Sequence, residues 1–428
     1  MNIALYTLGC KVNQYETQAL EQLFVARGHC LVPFDGPADA YIVNTCSVTA
    51  VSDKKSRQVI RRARKERPDA VVAVCGCYSQ THPEDMDQLG VDLVSGTGDR
   101  MGFVELLEQA VAQRSPITAL DNAFDRTLFE VLPAGGLEGR TRAMLKVEDG
   151  CVNFCSYCII PYARGRIRSL PLDRAVEQTR ALVSQGYREI VLTGIEISSW
   201  GHDLPDRPPL IRLMEAVCAA APDCRIRLGS LEPRTITEDF CVRAAKLKNL
   251  CPHFHLSMQS GCDSVLERMN RKYDTARYLQ SVQLLRAHFD HPAITTDLIV
   301  GFPGETEEEF AATLDFIRTC AFAAMHVFPY SRRPGTPAAK MPDQLPNAVK
   351  EDRAHRAAQV ATEMEQTYTA RFLDREVEVL FEEERDGLWY GHTPNYLPVA
   401  VQGRDLHNQV RTVLPRRVEK GVLHADLL

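Results

Sequence analysis

Short apolar runs separated by amphipathic stretches fill the first part of the chain. The runs are rich in β-branched and aromatic residues, which is typical of buried parallel strands. They lie at residues 3–8, 41–44 and 70–74. Helical patterns at residues 16–27 and 52–67 separate them. This alternation of strand and helix predicts a doubly wound parallel α/β domain, assigned to residues 1–120.

The strand–helix pattern repeats in the middle of the chain, over residues 137–371. The predicted strands are 144–147, 190–193, 225–229, 253–257, 294–300 and 325–328. The predicted helices are 173–185, 210–220, 236–248, 275–287 and 305–319. Six such units make an incomplete (β/α)6 barrel, and the active site of such a barrel lies at the carboxyl ends of its strands.

The pattern changes after a helical stretch at residues 348–369. Four short segments alternate or run apolar between turn residues, which predicts a small β-barrel over residues 372–428. The segments are 376–381, 388–392, 398–401 and 411–414. Three predicted domains agree with a length of 428 residues at roughly 100–200 residues a domain.

Composition and charge narrow the function classes. No apolar stretch approaches the roughly 20 residues that a membrane-spanning helix needs, so no membrane span is expected. Met1 leads directly into a strand-like segment without a basic region, so no signal peptide is expected and the cytoplasm is the predicted location. The net charge of −6 gives no overall attraction to nucleic acid, so such contact needs local basic patches.

The chain has 14 cysteines, which in a reducing compartment favours metal ligation or catalysis over disulfides. Cys151, Cys155 and Cys158 have the spacing Cys-x₃-Cys-x₂-Cys in the loop after the first barrel strand. Structural zinc sites usually show paired cysteines that sum to four ligands, and no fourth Cys or His follows within the next forty residues. Three thiolates suit a 4Fe–4S cluster that keeps one iron open to a small ligand.

Three further cysteines each follow a predicted strand of the N-terminal domain. These are Cys10, Cys46 and Cys77. In a doubly wound sheet, ligands bind outside the carboxyl ends of the strands, so a shared site is predicted there, with buried core cysteines as the alternative. Cys75 competes with Cys77 for the third position. Cys77 is preferred because it lies past Gly76, where the chain turns, whereas Cys75 lies within the strand.

The segment around the cysteine triplet resembles the cluster loop of radical S-adenosylmethionine (SAM) enzymes, in which an aromatic residue, here Tyr157, precedes the last cysteine. The resemblance implies that SAM chelates the open iron. It also implies that one electron from the cluster cleaves SAM to a 5′-deoxyadenosyl radical, which abstracts hydrogen from an unreactive carbon. Cys151, Cys155 and Cys158 are then the catalytic ligands.

Both three-cysteine sets together resemble the methylthiotransferases, along essentially the whole chain. The matching segments are Thr7-Leu8-Gly9-Cys10-Lys11-Val12-Asn13, Asn44-Thr45-Cys46 and Gly76-Cys77-Tyr78-Ser79-Gln80. The family carries two 4Fe–4S clusters, one of them auxiliary, and inserts a methylthio group into a carbon–hydrogen bond. Residues 9–16 and 330–338 resemble most closely the branch that modifies C2 of N6-threonylcarbamoyladenosine at position 37 of tRNA. Isopentenyladenosine in tRNA, an aspartate of a ribosomal protein, and a non-catalytic zinc-containing RNA-binding protein are the alternatives.

The resemblance implies that loops after the barrel strands hold SAM, whereas ordinary turn and cap chemistry is the alternative for each residue. The residues implied are Tyr157, Gly194, Glu196, Ser230, Glu232, Gln259, Asp297, Gly301 and Gly304. The sequence departs from the pattern at the second loop, where Gly194-Ile195-Glu196 stands in place of Gly-Gly-Glu.

The small C-terminal barrel resembles the TRAM domain, an RNA-binding module common in this family. The implied partners are the anticodon stem-loop of tRNA and a reductant such as flavodoxin or ferredoxin. Basic runs at residues 54–67 and 404–420 are candidates for phosphate contact, with a solvated helix face as the alternative for the first run. Basic segments at 164–168 and 268–273 are predicted to be either solvated turns or contacts to an anion, the SAM carboxylate or RNA phosphate.

Overall fold

The structure is a computed structural model that describes residues 1–136 and 139–428. The predicted start of the barrel domain, residue 137, lies outside the described residues. Within the described part of the chain, no helix is both long enough and apolar enough to cross a membrane.

The N-terminal part is a six-stranded parallel sheet with helices on both faces. Its strands are β1 Asn2–Thr7, β2 Cys30–Leu31, β3 Ala40–Thr45, β4 Val71–Gly76, β5 Leu93–Ser95 and β6 Ile117–Ala119. Its helices are α1 Lys11–Ala26, α2 Ala50–Glu66, α3 Cys77–Thr81, α4 Glu84–Gln88 and α5 Arg100–Gln113. The strand order is β2-β1-β3-β4-β5-β6, and α1 and α5 pack on the face opposite to α2 and α4. This order reverses direction between β1 and β3, the position at which such sheets bind ligands.

Helix α1 begins earlier than the sequence pattern predicts, at Lys11 rather than at residue 16. Asn13 and Glu16 are polar, yet both are about 1% exposed on the inner face of this first part of the helix. Two buried polar residues on the inner face interrupt the apolar periodicity, which is why the pattern misses the first turn. The helix therefore starts directly after Cys10.

The central part forms two sheets of parallel strands with helices outside them, and a short antiparallel pair of strands. Its strands are β7 Arg142–Lys146, β8 Glu148–Asp149, β9 Arg168–Ser169, β10 Glu189–Thr193, β11 Arg225–Leu228, β12 Ser230–Leu231, β13 His253–Leu256, β14 Ala293–Val300 and β15 Ala324–Pro329. Its helices are α6 Ile160–Arg164, α7 Leu172–Ser184, α8 Leu210–Ala220, α9 Glu238–Ala244, α10 Asp263–Arg268, α11 Thr275–His288, α12 Glu307–Cys320 and α13 Asn347–Ala370.

Two sheets, β11-β10-β7 and β12-β13-β14-β15, make up this incomplete barrel. A single residue, Gly229, separates β11 from β12, so the chain passes from one sheet to the other directly after the third predicted strand. Helix α9 is shorter than the predicted 236–248 because Thr237 caps its start and the chain turns again before Leu250. Helix α12 begins at Glu307, after a capping box formed by Thr306 and Glu309.

The C-terminal part is a closed barrel of five strands in the order β16-β17-β18-β20-β19. The strands are β16 Val377–Arg385, β17 Leu388–His392, β18 Pro398–Val401, β19 Val410–Glu419 and β20 Val422–Leu427. The fifth strand, β20, was not among the predicted segments. A two-residue turn at Lys420 and Gly421, both with positive φ, folds it back on β19.

Candidate cluster and cofactor site

The three N-terminal cysteines lie at the ends of the adjacent strands β1, β3 and β4. Gly9, with φ +105°, brings the loop after β1 against Cys46, since a Cβ at this glycine would lie 2.8 Å from the Cys46 Cβ. Burial raises the pKa of the Cys77 thiol to about 12, and the thiols of Cys46 and Cys10 are close enough to contribute to the shift. The structure thus brings the three predicted thiols together at the strand ends.

Cys75 and Cys77 lie in different surroundings. Cys75 ends up in the apolar core beneath α1 and α5, fully buried. Gly76, with φ +105°, turns the chain so that Cys77 becomes the first residue of α3. A Cβ at Gly76 would lie 2.4 Å from the carbonyl oxygen of Thr45, so only glycine fits this turn.

The Cys151–Cys158 loop is closed at its base and fastened along its length. The antiparallel pair β8 and β9 joins its two ends, with Asp149 opposite Arg168. The Cys151 amide donates to the Gly165 carbonyl at 3.0 Å, and the Cys158 amide donates to the Cys155 carbonyl at 3.0 Å. The burial of the Cys158 thiol raises its pKa to about 12, with Cys155 as the next contributor.

Arg271 is a neighbour of this loop that the sequence reasoning did not assign to the cysteines. Its Nη1 donates to the Cys155 sulfur at 3.1 Å, and its guanidinium lies 4.8 Å from the centre of the Tyr273 ring. Tyr157 belongs to the same group, since Arg271 and Cys155 both act on its buried hydroxyl, whose pKa burial raises well above the usual value. The segment that carries Arg271 also fastens the loop, because the Ser156 amide donates to the Met269 carbonyl at 3.0 Å.

The donor chemistry of both sites fits thiolate-bound iron–sulfur clusters. Burial keeps the free thiols protonated, and a bound cation reverses that preference because it stabilises the thiolate. Among the described residues, no three Cys, His, Asp or Glu side chains converge as ligands of a single metal ion. Each thiolate of a 4Fe–4S cluster binds its own iron, so a cluster needs no such convergence.

Two of the carboxylates implied for SAM lie next to the cysteine loop. Burial raises the pKa of Glu196 to about 7, and Glu232 is the next contributor, while Arg271 acts in the opposite direction. Glu196 is also among the groups that raise the pKa of Cys151. Glu232 pairs with Arg234 at 2.5 Å. Glu196, Glu232 and Arg271 therefore face one space above the strand ends, beside the cysteines.

Gly194 sits against a buried acid. A Cβ at Gly194 would lie 2.8 Å from Glu148 Oε2, and the same oxygen accepts a 2.7 Å hydrogen bond from the Glu196 amide. Burial raises the pKa of Glu148 well above its usual value, which favours the protonated carboxyl. Glu148 was not predicted as a site residue. Through its hydrogen bond with the Glu196 amide, Glu148 holds the loop after β10 in place.

Ser230, Gln259 and Asp297 lie on neighbouring elements but in different settings. Ser230 is exposed and begins β12. Gln259, with φ +69°, bonds through its backbone amide to the Asp297 carbonyl at 2.9 Å. Asp297 lies within β14 rather than in the loop after it, where its Oδ2 is 3.3 Å from His255 Nε2.

Gly301 and Gly304 follow β14 and have protein neighbours. A Cβ at Gly301 would lie 2.3 Å from Lys350 Cγ of α13, and its amide donates to Glu305 at 2.7 Å. The Gly304 amide donates to the Asp343 carbonyl at 3.0 Å. Both glycines have φ near +70°, so the turn itself requires them.

The prediction for residues 164–168, a solvated turn or an anion contact, is wrong for Arg164 and Arg168. Arg164 is completely buried and pairs with Glu16 of α1, and it donates to Asn13 at 2.8 Å. It is also close enough to the Cys77 thiol to lower the pKa of that thiol, against the larger effect of burial. Arg168 is buried beside Asp149. The partners are carboxylates of the protein because the loop packs against the N-terminal part rather than against solvent.

The corresponding prediction for residues 268–273 also fails at its two arginines, which are half-buried and have partners within the protein. Arg268 pairs with Glu309 at 2.6 Å, and Arg271 contacts Cys155 as described above.

A third arginine outside both segments links the central part of the chain to the N-terminal part. Arg333, after β15, is about 1% exposed, pairs with Asp53 and donates to Ser47 at 2.7 Å, next to Cys46.

Comparison with known proteins places the chain in a family. Residues 145–317 match the radical SAM superfamily, and residues 2–96 match the uncharacterized protein family UPF0004. The threonylcarbamoyladenosine tRNA methylthiotransferase MtaB of Bacillus subtilis is 41% identical over 409 residues, which cover 94% of this chain and 91% of that protein. The chain belongs to the radical SAM tRNA methylthiotransferase family.

Other members of the radical SAM tRNA methylthiotransferase family are similar along the same length. The MtaB protein of Thermotoga maritima is 36% identical over 436 residues, covering 100% of this chain and 98% of that protein. A tRNA-2-methylthio-N(6)-dimethylallyladenosine synthase of Caldicellulosiruptor saccharolyticus is 34% identical over 412 residues, covering 94% and 87%. These relatives confirm the resemblance that the two cysteine motifs indicated.

Solved structures of more distant enzymes share the fold. The radical SAM methyltransferase TsrM of Kitasatospora setae superposes with a TM-score of 0.58 at 16% identity, over 79% of this chain and 74% of TsrM. The cobalamin-dependent radical SAM enzyme OxsB gives 0.53 at 12% identity, over 85% of this chain and 56% of OxsB. The predicted α/β class, with its partial barrel, is confirmed.

Proposed function

We propose that this protein is a methylthiotransferase that uses radical SAM chemistry at C2 of N6-threonylcarbamoyladenosine, position 37 of tRNA. One observation supports the proposal most strongly: a buried arginine joins the two cysteine sites. Arg164 follows the Cys151–Cys158 loop in the chain, and its guanidinium pairs with Glu16 in the N-terminal part and lowers the pKa of the Cys77 thiol. A reaction that makes a carbon radical at one cluster and adds sulfur from another needs the two sites to be held in a fixed relation.

The cysteines divide into two ligand sets in this proposal. Cys151, Cys155 and Cys158 hold the cluster that binds SAM, and Cys10, Cys46 and Cys77 hold the auxiliary cluster. When bound, the first cluster and SAM supply the electron and the 5′-deoxyadenosyl group that removes hydrogen from the substrate carbon. The placement of Cys77 beside Cys46, with Cys75 in the apolar core, supports this division.

The protein groups around the first site orient SAM and control its access. Glu196 and Glu232 suit the amino group and the ribose hydroxyls of SAM, because carboxylates accept hydrogen bonds from both. Tyr157 and the main chain at Gln259 border the same space. Gly194 allows the loop after β10 to lie close against Glu148. Ser230, Asp297, Gly301 and Gly304 complete the proposed set, of which Gly301 and Gly304 act through loop shape.

The tRNA contacts are assigned to two surfaces. Lys54 and Lys55 are exposed in the first turns of α2, which starts just after Cys46. The second surface is the C-terminal barrel, residues 372–428, which acts as a TRAM-like RNA-binding domain in this proposal. Of the other two proposed domains, residues 1–120 hold the auxiliary cluster and residues 137–371 form the radical SAM core. The anticodon stem-loop, a reductant such as flavodoxin or ferredoxin, and a cytoplasmic location belong to the same proposal.

Isopentenyladenosine is the second candidate substrate, because relatives named for it are 34% identical over most of their length. Mass spectrometry of tRNA nucleosides from a strain without the gene decides between the two. We expect the methylthio-threonylcarbamoyl nucleoside to disappear and its precursor without the methylthio group to accumulate. Loss of the methylthio-isopentenyl nucleoside instead, or an unchanged nucleoside profile, would contradict the proposed substrate.

Complementation of that strain tests the cysteine assignment. The Cys155→Ala variant is expected not to restore the nucleoside, whereas Cys262→Ala, at a half-buried cysteine outside both sets, is expected to restore it.

A further inference from the structure

A cavity of about 570 Å³ lies where the three parts of the chain meet, and no cysteine among the described residues lines it. It is bordered by the first turns of α1, by the inner face of strands β7, β10, β11 and β13, and by the C-terminal barrel. Four cations and two carboxylates line it: Lys11, Arg140, Arg142, Arg227, Glu382 and Glu383. The cavity is therefore polar and carries an excess of positive charge.

Two of these cations already have partners in the protein. Arg142 pairs with Glu382 at 2.8 Å and donates to the Tyr396 hydroxyl at 2.9 Å. Arg227 pairs with Glu189 at 2.7 Å and donates to the Pro394 carbonyl at 2.8 Å. Both arginines thus shape the wall, and their positive charge is balanced nearby.

Lys11 differs from these arginines. Its side chain is exposed at the edge of the cavity, and among residues 1–136 and 139–428 its ammonium makes no hydrogen bond and no ion pair. It is the first residue of α1, so the positive end of the helix dipole acts on the same space. His253 of β13 also lines the cavity, although its Nδ1 is buried and faces away from the open space. An unpaired cation in a cavity with an excess of positive charge is suited to an anionic ligand.

The inner face of the barrel connects this cavity with the cysteine loop. Side chains two residues apart on a strand share a face, so His253, His255 and Ser257 follow one line along β13 and the residue after it. Ser257 lies about 13 Å along the strand from His253 at the usual rise per residue. Its carbonyl accepts a hydrogen bond from Arg271 at 3.3 Å, and Arg271 contacts Cys155. Strand β13 thus runs from this cavity toward the residues that contact the cysteine loop.

The two candidate nucleosides differ in the chemistry that this cavity would meet. The threonylcarbamoyl group carries a carboxylate, a hydroxyl and a carbonyl, whereas the isopentenyl group is entirely apolar. An apolar group placed here would bury the Lys11 ammonium without a partner, which is unfavourable. A carboxylate would form a charge-assisted hydrogen bond with it.

We propose that Lys11 binds the carboxylate of the threonylcarbamoyl group in this cavity and so determines which modified adenosine the enzyme accepts. The inference rests on the proposed function, since it concerns the substrate of the same reaction. Lys11 is a specificity-determining residue in this account. It takes no part in the radical step.

Binding of anticodon stem-loop RNA to the cluster-containing protein, without SAM or reductant, tests this directly. The probes are one RNA with N6-threonylcarbamoyladenosine and the same RNA with its carboxylate blocked as the methyl ester. We expect the wild type to bind the acid about 10–100-fold more tightly than the ester, the range for a hydrogen bond between charged groups. We expect Lys11→Met to bind both RNAs equally and Lys11→Arg to keep most of the preference.

Lys54→Gln serves as the control for general loss of RNA affinity, because it is expected to weaken both RNAs by the same factor. Iron per chain, measured on each variant, shows whether a substitution next to Cys10 has disturbed the cluster. The comparison of acid with ester in the wild type needs no variant at all, so a folding defect cannot leave the question open. Equal affinity of the wild type for both RNAs would overturn the inference, as would an undiminished preference in an iron-replete Lys11→Met protein.

The failure of this inference and that of the proposed function give different results. If the nucleoside analysis shows the loss of the methylthio-threonylcarbamoyl nucleoside while acid and ester bind equally, the proposed function stands and the role of Lys11 falls. If that nucleoside persists in the deletion strain, the proposed substrate itself is wrong.

Discussion

At the scale of single residues, Cys75 and Cys77 show how backbone geometry separates two neighbouring cysteines. Cys75 lies within the buried strand β4, and Cys77 lies beyond Gly76, whose positive φ other residues do not adopt easily. The strand pattern and the glycine were enough to predict this difference from the sequence. Whether Cys77 rather than Cys75 binds iron is measured by substituting each cysteine in turn.

The substitution Cys77→Ser is expected to remove one cluster and leave the other. The reconstituted wild type should contain about eight irons per chain, and Cys77→Ser about four, because a 4Fe–4S cluster needs its thiolates. Cys75→Ser is the matched control and should keep the full iron content. Anaerobic iron analysis with electron paramagnetic resonance of both variants gives the answer, and the reverse pattern would assign the ligand to Cys75.

The contact between Arg271 and the Cys155 sulfur is expected to tune the potential of the core cluster. Reduction adds negative charge, which a guanidinium hydrogen-bonded to the sulfur stabilises. Arg271→Met should therefore lower the reduction potential, by about 60 mV if the interaction contributes a factor of ten. Arg268→Met, whose arginine pairs with Glu309 instead, should leave it unchanged. A redox titration followed by electron paramagnetic resonance measures both, and equal potentials would rule out this role for Arg271.

The arginine contacts mark the limit of sequence reasoning at this scale. Arg164 and Arg271 sit in basic segments that look solvated in the sequence, and their partners lie more than a hundred positions away, at Glu16 and Cys155. A charge pattern shows which residues are positive. It does not show which of them the tertiary fold buries against a distant carboxylate or thiol.

At the scale of elements, α1 joins the N-terminal part to the barrel through one carboxylate. Glu16 is about 1% exposed and contacts Arg100, Lys146 and Arg164, which belong to three different elements. Burial alone would raise its pKa, but these cations hold the pKa well below the usual value of 4.5. The element pattern predicted the existence of α1, whereas its first turn was missed because Asn13 and Glu16 are buried polar residues.

The substitution Glu16→Gln is expected to destabilise the protein by about 3–5 kcal/mol, because it leaves buried cations without their carboxylate. Glu105→Gln, at an exposed ion pair with Arg27, should change stability by no more than about 0.5 kcal/mol. Thermal unfolding of both variants compares them at neutral pH.

The pH dependence of this contact has a definite sign. Because the pKa of Glu16 is lower in the folded protein than in the unfolded chain, its stabilisation is fully present above about pH 4.5 and is lost as the pH falls below it. The gap in stability between the wild type and Glu16→Gln should therefore narrow in acid. A gap that widens in acid would contradict this account of the contact.

At the scale of the whole molecule, an acidic chain with a net charge of −6 has to bind a polyanion through local surfaces. Helix α2 carries exposed lysines at both ends, but several of its arginines are already engaged. Arg57 donates to the Tyr78 hydroxyl at 2.9 Å, and Arg64 donates to the Gly90 carbonyl at 2.9 Å. This leaves Lys54 at the end near Cys46 as the better candidate for contact with the substrate.

The dependence of RNA affinity on salt separates the two ends of this helix. Lys54→Gln should reduce the slope of log affinity against log salt by about 0.7–0.9, the value for one phosphate contact. Lys65, about 16 Å further along the same helix, is the matched control, and Lys65→Gln should leave the slope unchanged. Equal effects at the two positions would instead indicate a general attraction to the helix.

The architecture of the whole molecule was predictable because each domain has a clear period in its sequence. The strand ends located both cysteine sets within the fold. The cavity between α1, the barrel and the C-terminal strands was not predictable, since Lys11, His253 and Tyr396 come from three distant segments and meet only in the folded chain.

The central claim, radical methylthiolation of a modified adenosine, is tested most directly by following the hydrogen at C2. The purified protein, reconstituted with iron and sulfide without oxygen, is given SAM, a low-potential reductant and a stem-loop RNA with deuterium at C2 of N6-threonylcarbamoyladenosine. Mass spectrometry should detect deuterium in 5′-deoxyadenosine and a methylthio group at C2 of the RNA. A methylthio product without deuterium transfer, or no product on this RNA alongside turnover on isopentenyladenosine or a peptide, would contradict the account.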